Sequence, residues 1–82
     1  MSDATLKQHL ASIIEDVIGT PVQADDQLIE SGLVDSMTAV DIVMAVRLEF
    51  GCRMPPTEID EHLESVNALA RFVKANMLNR VY

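Results

Sequence analysis

Three stretches of the chain repeat apolar residues with a helical period, and each is closed by glycine or ends in the C-terminal tail. That pattern constrains the fold more than any other feature. In the first stretch Leu6, Leu10, Ile13, Ile14 and Val17 fall on one stripe, which predicts a helix from about Ala4 to Ile18. Asp3 is positioned as its N-cap. Gly19 and Pro21 stop it, since glycine takes the left-handed cap and proline cannot continue a helix. The second helix is predicted from Ser36 to Phe50, with Asp35 as N-cap and Gly51 just past its end. Pro55-Pro56 prevents continuation. A short helix over about 58–63 follows, with Thr57 and Asp60 resembling a capping box. The last helix starts after Ser65, and Val66, Leu69, Ala70, Val73 and Met77 form its stripe. No alternating strand pattern survives inspection. The expected fold is all-α: a small bundle of three main helices plus a short one.

Between the first two helices lies a connection from Gly19 to Asp35. Loops this long are uncommon in small domains and are often functional. Leu28, Ile29, Leu33 and Val34 can pin it to a helical core, and Ser31-Gly32 marks a turn.

Eighty-two residues make one small domain, expected to span 1–82. Only three residues are aromatic, so the core must be aliphatic. There is no room for a second domain to close over a deep active site, which disfavours a self-contained enzyme. Thirteen acids against six bases give a formal charge of −7. Nucleic acid needs clustered Lys and Arg, and an anionic membrane surface needs the same. A basic protein partner suits this chain better. The charge is uneven. Glu15, Asp16, Asp25, Asp26, Glu30, Asp35 and Asp41 occupy a stretch with no Lys or Arg, whereas Arg71, Lys74 and Arg80 close a tail without acids. The first half is therefore the expected docking surface. One cysteine, Cys52, excludes an internal disulfide. The start lacks the apolar stretch of a signal peptide, and no apolar run approaches a membrane span. The expected compartment is the cytoplasm, with no stable membrane insertion.

Most side chains that could carry chemistry have a plainer reading. His9, His62 and Cys52 share no ligand spacing, so no metal is expected. Glu15-Asp16, Asp25-Asp26 and Asp60-Glu61 lack an apolar pocket to shift a pKa and read as solvated surface. Leu33-Val34-Asp35-Ser36-Met37 is different. It sets a serine at a helix start, behind an acid and after a long loop. A helix N-terminus has unpaired N–H groups and partial positive charge, so it suits an attached phosphate. By physics alone, the commoner role of such a serine is a cap.

The second helix carries two apolar rows. Ala39, Ile42, Val43, Val46 and Phe50 read as its core stripe. Met37, Val40, Met44 and Leu48 form another row that begins beside Ser36. Such a helix is either buried all round or shows one face to a partner, and methionines suit surfaces that meet several partners.

The stretch Gly-Leu-Val-Asp-Ser-Met-Thr-Ala-Val-Asp-Ile-Val-Met-Ala-Val-Arg-Leu-Glu-Phe, residues 32–50, resembles the acyl carrier protein family. That family has a Gly-x-x-Asp-Ser-Leu/Met motif at the start of its second helix. The order of helices, long loop, Gly after Phe50 and Pro-rich turn is similar as well. The resemblance implies that Ser36 is esterified by 4′-phosphopantetheine from coenzyme A, and that the thiol of the arm carries an acyl or aminoacyl thioester. It implies that Asp35 assists the phosphopantetheinyl transferase and its magnesium. Met37, Val40, Asp41, Met44 and Leu48 become the expected partner face. The expected partners are that transferase, an acyl or amino-acid ligase and downstream acyl-transfer enzymes, met by a monomer that is not itself an enzyme.

Two features depart from the carriers of fatty acid synthesis. Thr38, Arg47 and Leu48 stand at positions commonly acidic in that subgroup. Pro55-Pro56-Thr57-Glu58-Ile59-Asp60 instead resembles carriers loaded with an amino acid, such as the D-alanyl carriers. The cargo expected from this is an amino acid or a specialised acyl group. The rival class is an unmodified acidic helical adaptor.

Overall fold

The computed structural model describes residues 2–78, and their side chains as far as residue 76. Among these residues four α-helices follow one another: α1 (Asp3–Ile18), α2 (Ser36–Phe50), α3 (Ile59–His62) and α4 (Val66–Leu78). There is no strand among the described residues. The all-α bundle is the fold expected from the apolar periodicity.

Each helix end has a chemical reason. Ser2, not Asp3, caps α1: its hydroxyl accepts from Thr5 N, and its backbone is extended. Ser and Asp both cap well, and their adjacency leaves the choice to the backbone. Asp3 instead lies in the first turn, where its carboxylate suits the helix N-terminus. It also meets Lys74 of α4 at 2.7 Å. Gly19 and Gly51 end α1 and α2 at φ of 76° and 71°. A side chain would be strained in that left-handed conformation. Thr57 and Asp60 form no capping box. Pro56–Glu58 is a 3-10 turn running into α3, and neither element has a side-chain cap. Proline presets the φ of this turn without an N–H to place.

α1 packs against both α2 and α4, and α3 packs on α4. Leu6, Leu10, Ile13 and Ile14 of α1 meet Ala39, Ile42 and Val46 of α2 and Val66, Leu69, Ala70 and Val73 of α4 in one core. Val17, Val43 and Phe50 pack at its margin, half-buried. Met77 falls outside the described side chains. Phe72 and Ala68 are buried beyond the expected stripe, and Phe72 holds the ring of His62 at 4.4 Å.

The long connection is tied down at both main chain and side chain. Leu28 and Val34 are fully buried, Ile29 and Leu33 half-buried, and Val22 joins the core as well. Leu28 N donates to Glu64 O at 2.8 Å, Asn67 N to Ala24 O at 3.0 Å, and Val34 N to Leu28 O at 2.9 Å. The loop therefore delivers Asp35 to the start of α2 from a fixed anchor. Among the described residues no helix is long and apolar enough to cross a membrane.

Candidate functional site

Asp35 organises the first turn of α2. Its Oδ1 accepts from Met37 N and Thr38 N, both at 3.0 Å. In return Asp35 N donates to Thr38 Oγ1 at 2.9 Å. This is a reciprocal capping box with threonine in the place usually held by Glu or Gln. The Thr38 N–H, then the Thr38 hydroxyl, hold the Asp35 carboxyl below its ordinary value of 3.8. Asp35 is thus an anion at neutral pH, locked at one oxygen. Sequence reading gave Thr38 no role here, although its spacing of three from Asp35 was a usable sign.

Because Asp35 is the cap, Ser36 is not. Ser36 is exposed, and its hydroxyl has no hydrogen-bond partner among the described residues. Other serines are engaged: Ser2 caps α1, Ser65 Oγ accepts from Ala68 N, and Ser31 Oγ donates to Leu28 O. Ser12 sits in the interior of α1, away from any helix start. The same geometry corrects one expectation. The Met37 and Thr38 amides already serve Asp35, so they are not open to a phosphate. What remains for a phosphate on Ser36 is the first-turn N–H of Ser36 and the positive end of the helix dipole.

Beyond Ser36, the second apolar row of α2 lies in solvent. Met37 is 79% exposed, Val40 51%, Met44 57% and Leu48 85%. At about 100° per residue, Met37, Met44 and Leu48 fall within ~40° of one another and opposite Ile42 and Val46. Asp41 is exposed beside them. Of the acids in the base-free stretch, two also have structural work. Glu15 Oε2 accepts from Val22 N, and Asp26 Oδ2 accepts from Gln23 N. Asp16, Asp25, Glu30 and Asp41 remain as exposed charges.

The paired acids converge on nothing, and no cluster among the described residues could hold a metal ion. Cys52 is buried. His9 lies 3.5 Å from Glu49, and His62 lies 2.9 Å from Glu58. Both are contacts between or within helices, not ligand sets.

A fixed helix start presenting an unengaged serine hydroxyl behind an acid, above an exposed apolar face, is the arrangement a carrier of a tethered group requires. The family described as phosphopantetheine attachment site matches residues 8–73, and the chain belongs to it. Its cofactor is a covalently attached 4′-phosphopantetheine, on whose thiol an acyl or aminoacyl group travels as a thioester. The residues present fit such an arm, since Ser36 offers an accessible hydroxyl with no competing bond.

Among known proteins, the chain is 33% identical over 73 residues to the D-alanyl carrier protein of Lactococcus lactis subsp. lactis (strain IL1403), covering 84% of this chain and 92% of that one. It is 32% identical over 63 residues to the D-alanyl carrier protein of Lacticaseibacillus casei (strain BL23), covering 73% and 78%. The D-alanyl carrier protein of Leuconostoc citreum (strain KM20) is 32% identical over 57 residues, covering 67% and 73%.

Proposed function

We propose that the phosphopantetheine arm is attached to Ser36, and that the whole chain acts as a single carrier domain. One observation carries this reading: Asp35 takes the capping role and leaves the Ser36 hydroxyl exposed and unengaged. In the attachment step, Ser36 Oγ bonds to the phosphorus that bears the pantetheine in coenzyme A. The bond from that phosphorus to the bridging oxygen breaks, adenosine 3′,5′-bisphosphate leaves, and the serine proton passes to a base of the phosphopantetheinyl transferase. Asp35 supports this chemistry as a fixed anion beside the reacting oxygen. With Oδ1 held by Met37 and Thr38, its other oxygen is the one suited to the transferase and its magnesium.

Met37, Val40, Asp41, Met44 and Leu48 form the partner face. Exposed apolar residues give affinity once desolvated, and the acids speed encounter with basic enzymes. Those partners are the transferase, a ligase that activates the cargo, and downstream acyl-transfer enzymes. The protein works as a monomer in the cytoplasm. Its cargo is an amino acid or another small specialised acyl group, in keeping with the 55–60 segment and with relatives named D-alanyl carrier proteins.

Intact mass spectrometry before and after incubation with a transferase, magnesium and coenzyme A tests the attachment. The wild type should gain one arm and Ser36→Ala none. An arm on the alanine variant would move the site elsewhere. No arm on the wild type would leave the unmodified helical adaptor as the better reading.

A further inference from the structure

Among the described residues, the large apolar side chains left in solvent are Met37, Val40, Met44 and Leu48. Two of them differ from the others in chemistry. The hydrocarbon side chains of Val40 and Leu48 are inert to hydroperoxides, whereas a thioether sulfur is oxidised by them. The remaining described sulfurs, those of Met54 and Cys52, are buried in the core. Met1 and Met77 fall outside the described side chains. Burial has therefore sorted the described sulfurs into two groups. One is shielded inside the fold, and the other stands on the face that begins beside Ser36.

Met37 and Met44 stand two turns apart on α2. They fall within ~20° of each other around the helix and ~10 Å apart along it, with Val40 between them. Neither belongs to the core cluster. Met37 serves the Asp35 cap through its main-chain N–H, at 3.0 Å, a bond in which its side chain takes no part. A chemical change at either sulfur therefore alters the outer face of α2 and leaves the packing beneath it alone.

We propose that Met37 and Met44 are modification sites, at which oxidation by a hydroperoxide turns off docking on α2 while the fold stands. The proposal rests on this row being the partner face and on Ser36 bearing the arm, and it supplies their regulation. In the step, a sulfur lone pair attacks one oxygen of hydrogen peroxide. The S–O bond forms as the O–O bond breaks, the sulfur is oxidised and the peroxide reduced. The transferred oxygen gives its proton to the leaving hydroxide, and water results. The sulfoxide is polar where the thioether was apolar. In the free carrier, water bonds its oxygen. Under a docked enzyme that oxygen is desolvated with no donor placed for it, which lowers affinity. Methionine sulfoxide reductases reverse the change, one for each epimer.

The full chain without its arm is treated with limiting hydrogen peroxide, and catalase removes the excess. Peptide mass mapping should find oxygen on Met37 and Met44 before Met54. The denaturation midpoint should match that of the untreated chain. Arm transfer by a phosphopantetheinyl transferase that has not met peroxide, with magnesium and coenzyme A, should lose about tenfold in kcat/KM, as for the loss of one interface anchor. Treatment with both sulfoxide reductases should restore it. Met37→Leu with Met44→Leu, compared with its own untreated sample, should lose nothing on oxidation. Four results would each overturn the proposal and leave the attachment at Ser36 intact: oxidation of Met54 as early as the other two, unchanged transfer with both sulfoxides present, a midpoint that falls together with the transfer rate, or an equal loss in the double variant. No arm on the untreated chain would remove the attachment reading, and this proposal with it.

Discussion

Asp35 and Ser36 are neighbours with separate tasks. The aspartate spends one oxygen on the first turn of α2, and the serine spends nothing. Asp35 is the N-cap expected from the sequence, although a serine at a helix start is itself most often a cap. The deciding partner is Thr38, whose amide and hydroxyl both bind Asp35. The carboxyl has a folded pKa below 3.8 because of those bonds. A group depressed on folding adds stability at pH above its unfolded value, and the gain is lost as pH falls through the folded value. Asp3 behaves the same way through its hydrogen bond to Lys74. Asp35→Asn keeps the acceptor oxygen and removes the titration. Its denaturation midpoint should stay near the wild type at neutral pH, with a smaller decline below pH 3.8 than the wild type shows. A decline as steep as that of the wild type would mean the cap does not couple to the Asp35 proton. The misassigned cap of α1 has a related cause. Ser2 and Asp3 are both good caps, and only the extended backbone at Ser2 separates them.

At the scale of elements, α2 is the helix with two apolar sides. Its boundaries, Ser36 to Phe50, were legible because an aspartate and a glycine bracket an apolar-rich stretch with no Gly or Pro inside it. Periodicity also divided the rows correctly. What it could not say was whether the outer row was covered, since that depends on where the loop and α3 pack. They pack elsewhere, against α4 and the core. The two rows should therefore respond differently to truncation. Ile42 is fully buried, and Ile42→Ala should cost about 2–5 kcal/mol of stability. Leu48→Ala, at an exposed position, should change stability by less than about 0.5 kcal/mol. Binding to the transferase should show the opposite order, measured for the folded fraction of each variant. A strongly destabilised Leu48→Ala with unchanged binding would mean the faces are reversed. The short α3 was the least legible element. Its capping pattern at Thr57 and Asp60 went unused, because Pro55-Pro56 leads into a 3-10 turn first.

Across the whole molecule, charge and apolar surface are arranged together. Asp16, Asp25, Glu30 and Asp41 are exposed, and Asp41 adjoins the uncovered row of α2. Exposed charges are screened over about 8–10 Å at physiological ionic strength. The efficiency of arm transfer should therefore fall as salt rises, and Asp41→Lys should reduce both the efficiency and its salt dependence. A rate flat across that series would exclude charge steering and leave the covalent role of Ser36 untouched. The acidic bias was visible in composition. Its partial use inside the fold, at Glu15 and Asp26, was not, because those carboxylates bind amides that only the folded loop brings near.

The anchoring of the long connection has a kinetic consequence. Amide protons exchange with solvent only when their hydrogen bonds open, and segments that open together share one free energy. Leu28 N and Asn67 N bridge the connection to the region around α4. They should exchange in deuterium at rates close to those of core amides such as Leu10 and Leu69, well behind the amides of Asp25 and Thr57. The stretch before Asp35 is a connector by shape and a core element by its opening rate. Rapid exchange at Leu28 and Asn67 would mean that the start of α2 is held by its own capping box alone.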